Sequence, residues 1–174
     1  MELIARKLMK PTIFRTVLLP ALLITLLIGT VGCGTPKQKP VAWTIKITKP
    51  ESVEVDVVAV TTREKPRLET YSMDKYWSPE DSERKNSDKL TSPPQSATWV
   101  IGRKDKDKDS PWKKWLGRSV TGVYVIANLP GSFEVEARRE FLTLDKNHWE
   151  PLVKNTLEIE VKENRIVVIT PEKP

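Results

Sequence analysis

The sequence predicts a mainly β protein: a single antiparallel β-sandwich with one or two short helices, preceded by a leader that is basic at its start and then apolar and uncharged. Three observations predict this class. Seven short segments have strand character, polar or proline-bearing turns separate them, and helical punctuation is confined to two brief stretches. The 174 residues divide into a leader (1–32), a cysteine with its linker (33–40) and a sandwich domain (41–174). The last segment has the size of one ordinary domain and can bury one hydrophobic core.

Trp43-Thr44-Ile45-Lys46-Ile47-Thr48 alternates apolar and polar residues, the period of a half-buried strand, and Lys49-Pro50 closes it. From Ser52 to Val60 the chain sets Val53, Val55 and Val57 on one face. It then turns apolar on both faces, as a strand entering a core does. Thr98–Gly102, Gly122–Leu129, Arg139–Leu144, Thr156–Lys162 and Arg165–Thr170 supply five further strands. Glu163-Asn164 joins the last two, a connection short enough for a hairpin, with Asn164 tolerant of positive φ. Ser110-Pro111 opens and Gly117 closes a helix whose Trp112, Trp115 and Leu116 share a face. Ser78-Pro79-Glu80-Asp81 opens a second short one.

Thr61–Ala97 is the least regular stretch, with Tyr71, Tyr76 and Trp77 among many charges and prolines. Trp43, Trp99, Trp112, Trp115 and Trp149 lie in or beside regular segments, where core packing is the default. Tyr76 and Trp77 form an aromatic pair in the irregular stretch. They can bind a partner protein or a sugar ring, or they can cover the core locally.

Composition excludes several function classes. The net charge is +6, but Arg6, Lys7, Lys10 and Arg15 against Glu2 put half of it in the leader. The remaining +3, on 25 basic and 22 acidic residues, is too small and too mixed for a nucleic-acid binder. His148 is the only histidine and Cys33 the only cysteine, so no His/Cys metal set and no intrachain disulfide can form. Nothing around His148 supplies a nucleophile elbow. Lys104-Asp105-Lys106-Asp107-Lys108-Asp109 imitates the start of a calcium loop, but Ser110 and Leu116 stand where glycine and a bidentate glutamate belong. The run reads as a solvated turn. Gly131, after Leu129-Pro130, reads as a turn residue, and the glycines form no phosphate loop. No cofactor and no enzymatic activity is expected.

The leader carries its basic residues first, then seventeen uncharged residues, 16–32, including Pro20. That length is marginal for a bilayer core of about 30 Å and suits a cleaved export segment. Its end, Leu27-Ile28-Gly29-Thr30-Val31-Gly32-Cys33, resembles the lipobox of bacterial lipoproteins, with Thr30 departing from the usual leucine. The resemblance implies a diacylglycerol on Cys33, cleavage before it and acylation of the new amino terminus, chemistry traced by palmitate. Gly34 rather than Asp after the cysteine implies the outer membrane, with the domain facing the periplasm. Gly34–Pro40 reads as an extended linker of about 20 Å.

A lipidated cysteine, a short linker and one small sandwich resemble the lipoprotein of the type VI secretion membrane complex. The order of elements is similar: a strand, then an irregular aromatic-bearing segment (Val53 to Trp77), and later an apolar strand (Val123 to Ala127) followed by a loop and another strand. The resemblance implies a non-catalytic scaffold that binds another envelope protein through its loops. The alternative is a lipid-anchored ligand- or glycan-binding module.

Overall fold

The computed structural model describes residues 39–103, 111–129 and 135–174. The leader, Cys33, most of the linker, Lys104–Ser110 and Gly131 lie outside the described residues.

Eight strands are described: β1 Thr44–Thr48, β2 Val55–Val60, β3 Lys89–Thr91, β4 Thr98–Ile101, β5 Gly122–Ala127, β6 Arg139–Thr143, β7 Thr156–Val161 and β8 Ile166–Val168. They form two four-stranded sheets, ordered β4-β1-β7-β8 and β3-β2-β5-β6. The seven strands expected from the sequence are all present. The eighth, β3, is a three-residue edge strand on β2. Alternation sets Ile45, Ile47, Leu157, Ile159 and Val161 of the first sheet against Val55, Val57, Val123, Val125 and Leu142 of the second, which makes the central core. The protein is therefore a mainly β sandwich. It departs from an all-antiparallel pattern in one pair, β1 with β7, which run parallel from Thr44 opposite Thr156 to Thr48 opposite Glu160. The expected β7–β8 hairpin is present, closed by Lys162 N donating to Arg165 O at 2.8 Å.

Four short helices are described: α1 Lys65–Glu69, α2 Met73–Tyr76, α3 Ser82–Asn86 and α4 Pro111–Gly117, with a 3-10 turn at Val135–Arg138. This exceeds the one or two expected. α4 buries Trp112 and Trp115, which meet edge to face at 5.1 Å. Its left-handed terminator is Ser119 (φ 60°), not Gly117. Val120 N bonds to Trp115 O and Ser119 N to Leu116 O, the Schellman arrangement. The second opening signal is displaced: α3 begins at Ser82, and its cap is Asp81, which accepts from Arg84 N at 2.7 Å.

α1 to α3 lie on the outer face of sheet β3-β2-β5-β6. There Leu68, Met73 and Tyr76 join Val58, Val60, Tyr124 and Ile126 in a second apolar cluster, flanked by Tyr71, Trp77 and Phe141. Among the described residues the outer face of β1 and β7 has no such layer and carries Lys46, Glu158 and Glu160, with Lys46 paired to Glu158 at 3.1 Å.

Strand direction gives the sandwich two distinct ends. At one end, Val60 O bonds Thr121 N, Thr121 O bonds Leu144 N, Leu144 O bonds Val41 N and Asn155 O bonds Thr44 N. The first described residues enter here, and we call this end proximal. The turns at Lys49–Glu54 and Ser92–Ala97 mark the distal end. Among the described residues no helix is long and apolar enough to cross a membrane.

Candidate functional site

The two aromatics singled out by sequence lie in different surroundings. Tyr76 ends α2 and is 0% exposed, its ring packed in the outer apolar cluster. Trp77 follows as the helix cap and keeps part of its surface open. The rings meet edge to face at 5.5 Å.

Beneath them lies Asp56, 0% exposed on β2. Its Oδ2 accepts from the Tyr76 hydroxyl at 3.0 Å and from Arg84 Nε at 2.8 Å, and its Oδ1 accepts from Thr91 Oγ1 at 2.6 Å. Arg84 Nη2 reaches on to Glu54 at 2.6 Å. The guanidinium lies over the Trp77 indole, 4.1 Å from its centroid, in cation–π contact. Asp81 caps α3 and also accepts from the Tyr71 hydroxyl at 2.7 Å. A buried carboxylate is tolerated only when paired and fully hydrogen-bonded, and Asp56 meets that condition with donors from α2, α3 and β3.

The electrostatics follow from these contacts. Burial, then the charge and hydrogen bond of Asp56, push the Tyr76 phenol far above its ordinary value. Burial works to lower the Arg84 guanidinium, but the hydrogen bonds and charges of Asp56 and Glu54 outweigh it and hold the group above its ordinary range. Tyr124, buried under the same layer with no partner for its hydroxyl, is pushed up to about 12 by desolvation.

Sequence reading missed Asp56, Glu54, Arg84 and Thr91. One signal was available: Asp56 is the lone charge inside Val55-Asp56-Val57-Val58-Ala59-Val60, a strand apolar on both faces. A charge in such a strand implies a paired partner brought from elsewhere.

Chemically, the cluster is closed at its base and open at its rim. The three donors to Asp56 are all held by the fold: Tyr76 on α2, Arg84 on α3 and Thr91 on β3. The rim offers the Trp77 edge and the Arg84 fork beside a cleft of about 280 Å³ that includes Ser78, Pro79 and Lys85. Tryptophan and arginine dominate the energetics of protein–protein contacts. Sugar stacking needs an open indole face, whereas Arg84 occupies one here. His148 is remote in sequence and bonding from this cluster. Its Nε2 lies 3.2 Å from Glu172 and its ring meets Trp149 edge-on. Among the described residues no group of His, Cys, Asp and Glu is placed to hold a metal ion.

No protein-family model and no curated protein sequence matches the chain. Three solved structures are similar in layout. One is the C-terminal domain (869–1107) of the T6SS protein TssM from EAEC, 11% identical over 74% of this chain and 100% of that one, with TM-score 0.45. Another is the T6SS lipoprotein TssJ1 from Pseudomonas aeruginosa, 9% identical over 78% and 99%, with TM-score 0.44. The third is Serratia marcescens Lip, a membrane bound component of the Type VI Secretion System, 11% identical over 76% and 99%, with TM-score 0.44. At these identities and scores the likeness carries no residue, partner or role across to this chain.

Proposed function

We propose that this chain is a lipoprotein of the cell envelope, anchored through lipid on Cys33 to the outer membrane and facing the periplasm. In this reading it is a non-catalytic scaffold that binds another envelope protein, in a membrane complex of the type VI secretion class. The observation that carries the reading is the seam at Gly32-Cys33, where seventeen uncharged residues end on a lone thiol followed by a polar linker. One acyl chain binds a membrane reversibly, and two or more anchor it durably. The rim of the candidate site supports a partner role, because Trp77 and Arg84 are residue types that carry protein–protein contacts, and the Asp56 carboxylate beneath them already accepts from three donors of the fold.

Two experiments test it. Metabolic palmitate labelling of the mature protein should be present in the wild type and absent in Cys33→Ser; label surviving that change overturns the anchor. Crosslinking in envelopes should capture the periplasmic part of an inner-membrane partner, and Trp77→Ala should abolish the capture without unfolding the domain. Binding to immobilised polysaccharide, lost on the same substitution, would instead establish a glycan module.

A further inference from the structure

At the proximal end, the turn Glu150–Asn155 holds two neighbouring aliphatic side chains in solvent: Leu152 is 81% exposed and Val153 58%. Scattered apolar residues on a surface need no explanation, but two adjacent ones held outward by a closed turn do. The turn is closed at both sides. Thr156 N donates to Val153 O at 3.0 Å and Glu150 N to Pro171 O at 2.9 Å, while Asn155 adopts φ 59° and its carbonyl accepts from Thr44 N at 2.9 Å. Exposed Lys146 and Lys154 lie on the same β6–β7 connection, balanced by Asp145 and Glu150.

The position of the turn indicates its occupant. Val41 and Thr44 hydrogen-bond to Leu144 and Asn155, residues on either side of Leu152-Val153 along this connection. Seven residues separate Val41 from Cys33, and the eight steps between them reach at most about 28 Å. The exposed pair therefore sits on the end of the sandwich from which the chain leaves toward its anchor.

We propose that the Leu152–Val153 turn dips into the lipid surface that holds Cys33 and orients the domain on it; this rests on lipidation of that cysteine. Two aliphatic side chains are too few to recruit a soluble protein to a bilayer. A protein already tethered meets the surface at high effective concentration, and the same pair is then enough to bias which end faces the lipid. The Trp77–Arg84 rim, toward the distal end, is turned away from the membrane.

The test uses the full-length, processed protein in phosphatidylethanolamine–phosphatidylglycerol vesicles. With the Cys33 thiol consumed by lipid, Leu152→Cys provides a single site for an environment-sensitive nitrobenzoxadiazole probe, and Val100→Cys on the outer face of β4 provides the reference. The expected result is a blue-shifted probe at position 152, quenched several-fold more by nitroxide-labelled lipid and less by aqueous iodide than at position 100. Adding Val153→Glu should shrink the difference. Equal iodide access at both positions, on protein that still floats with the vesicles, overturns the proposal. So does shielding from iodide without quenching by the nitroxide lipid, because protein rather than lipid would then cover the turn. Failure of the anchor has a separate signature: the probe labels Cys33 as well, the protein does not float, and both readings fall.

Discussion

Asp56 ties the helical layer to the sheet, and the asymmetry of its contacts sets the cost of disturbing it. Tyr76→Phe removes one of three donors and leaves the charge paired with Arg84 and bonded to Thr91. The expected loss is about 1–3 kcal/mol, the range for removing one partner of a buried charged group. Asp56→Ala removes the acceptor shared by three elements and strands the Tyr76 and Thr91 hydroxyls. It should cost more, about 3–5 kcal/mol. Urea denaturation followed by tryptophan fluorescence distinguishes the two. Equal losses would mean that the phenol alone holds the cluster. The indole N–H groups show a similar division. Those of Trp43, Trp112 and Trp149 find the carbonyls of Leu144, Gly102 and Thr143, whereas the buried Trp77 Nε1 has no partner. An unpaired N–H costs free energy, so Trp77 is placed here by its contacts with Tyr76 and Arg84 rather than by a hydrogen bond of its own.

At the scale of elements, ion pairs hold pieces too short to stand alone. Helices of four or five residues do not persist in water without tertiary support. Arg139 Nη1 caps the end of α1 by donating to Leu68 O at 2.8 Å and Tyr71 O at 2.9 Å, and Arg138 Nη1 reaches Asp74 of α2 at 2.5 Å. Asp88, just before β3, accepts from Lys114 of α4 at 2.8 Å and from Arg118. Burial works to raise the Asp88 carboxyl, but the hydrogen bonds from Lys114 and Arg118 outweigh it and hold the group below its ordinary value of 3.8. A carboxyl depressed in the folded state stabilises fully above its unfolded pKa, and that contribution is lost as pH falls through the lower folded value. Asp88→Asn should therefore cost about 1–2 kcal/mol at pH 7. The gap to wild type should close as denaturation midpoints are measured at pH 4 and below. A gap that stays constant with pH would assign the loss to packing. These short elements are also where sequence reading stopped. Strands β1, β2, β5 and β7 each span five or six residues, long enough for a period of two to register. Lys89-Leu90-Thr91 is too short and too polar for that, and α1 and α2 complete little more than one turn. The capping chemistry of α2 and α3 was local and visible: Ser72 accepts from Lys75 N, and Asp81 from Arg84 N. Tyr76 was legible as an aromatic but not as a buried one, because the acceptor that fixes its hydroxyl lies twenty residues earlier on a different element. The parallel β1–β7 pair depends on how distant segments meet, which hydrophobic alternation does not encode.

Across the whole molecule, one sheet serves two cores. Alternation along β2 turns Val55, Val57 and Ala59 toward the other sheet and Val58 and Val60 toward the helices, so neighbouring residues of one strand anchor opposite layers. The two layers are unequal. The central cluster is bounded by sheets whose ladders satisfy their own backbone groups, whereas the outer one is roofed by α1 to α3 and by the polar ties at Asp56, Arg138 and Arg139. Such a roof opens as a unit below the free energy of global unfolding. Native-state hydrogen exchange should therefore show β2 and β5 amides as the slowest and those of α1 to α3 as markedly faster. Leu68→Ala isolates the difference. Leu68 is 2% exposed and packs only in the outer cluster, so its truncation removes about 2–5 kcal/mol of packing from the roof. Exchange in α1 to α3 should accelerate to the full extent of that loss, while the amides of Val123 and Val125, facing the central core, keep most of their protection. If those β5 amides lost as much protection as the helices, the two cores would unfold as one cooperative block. The Trp77–Arg84 rim would then move only with the whole sandwich, and a partner docking there would have no separately yielding surface to order.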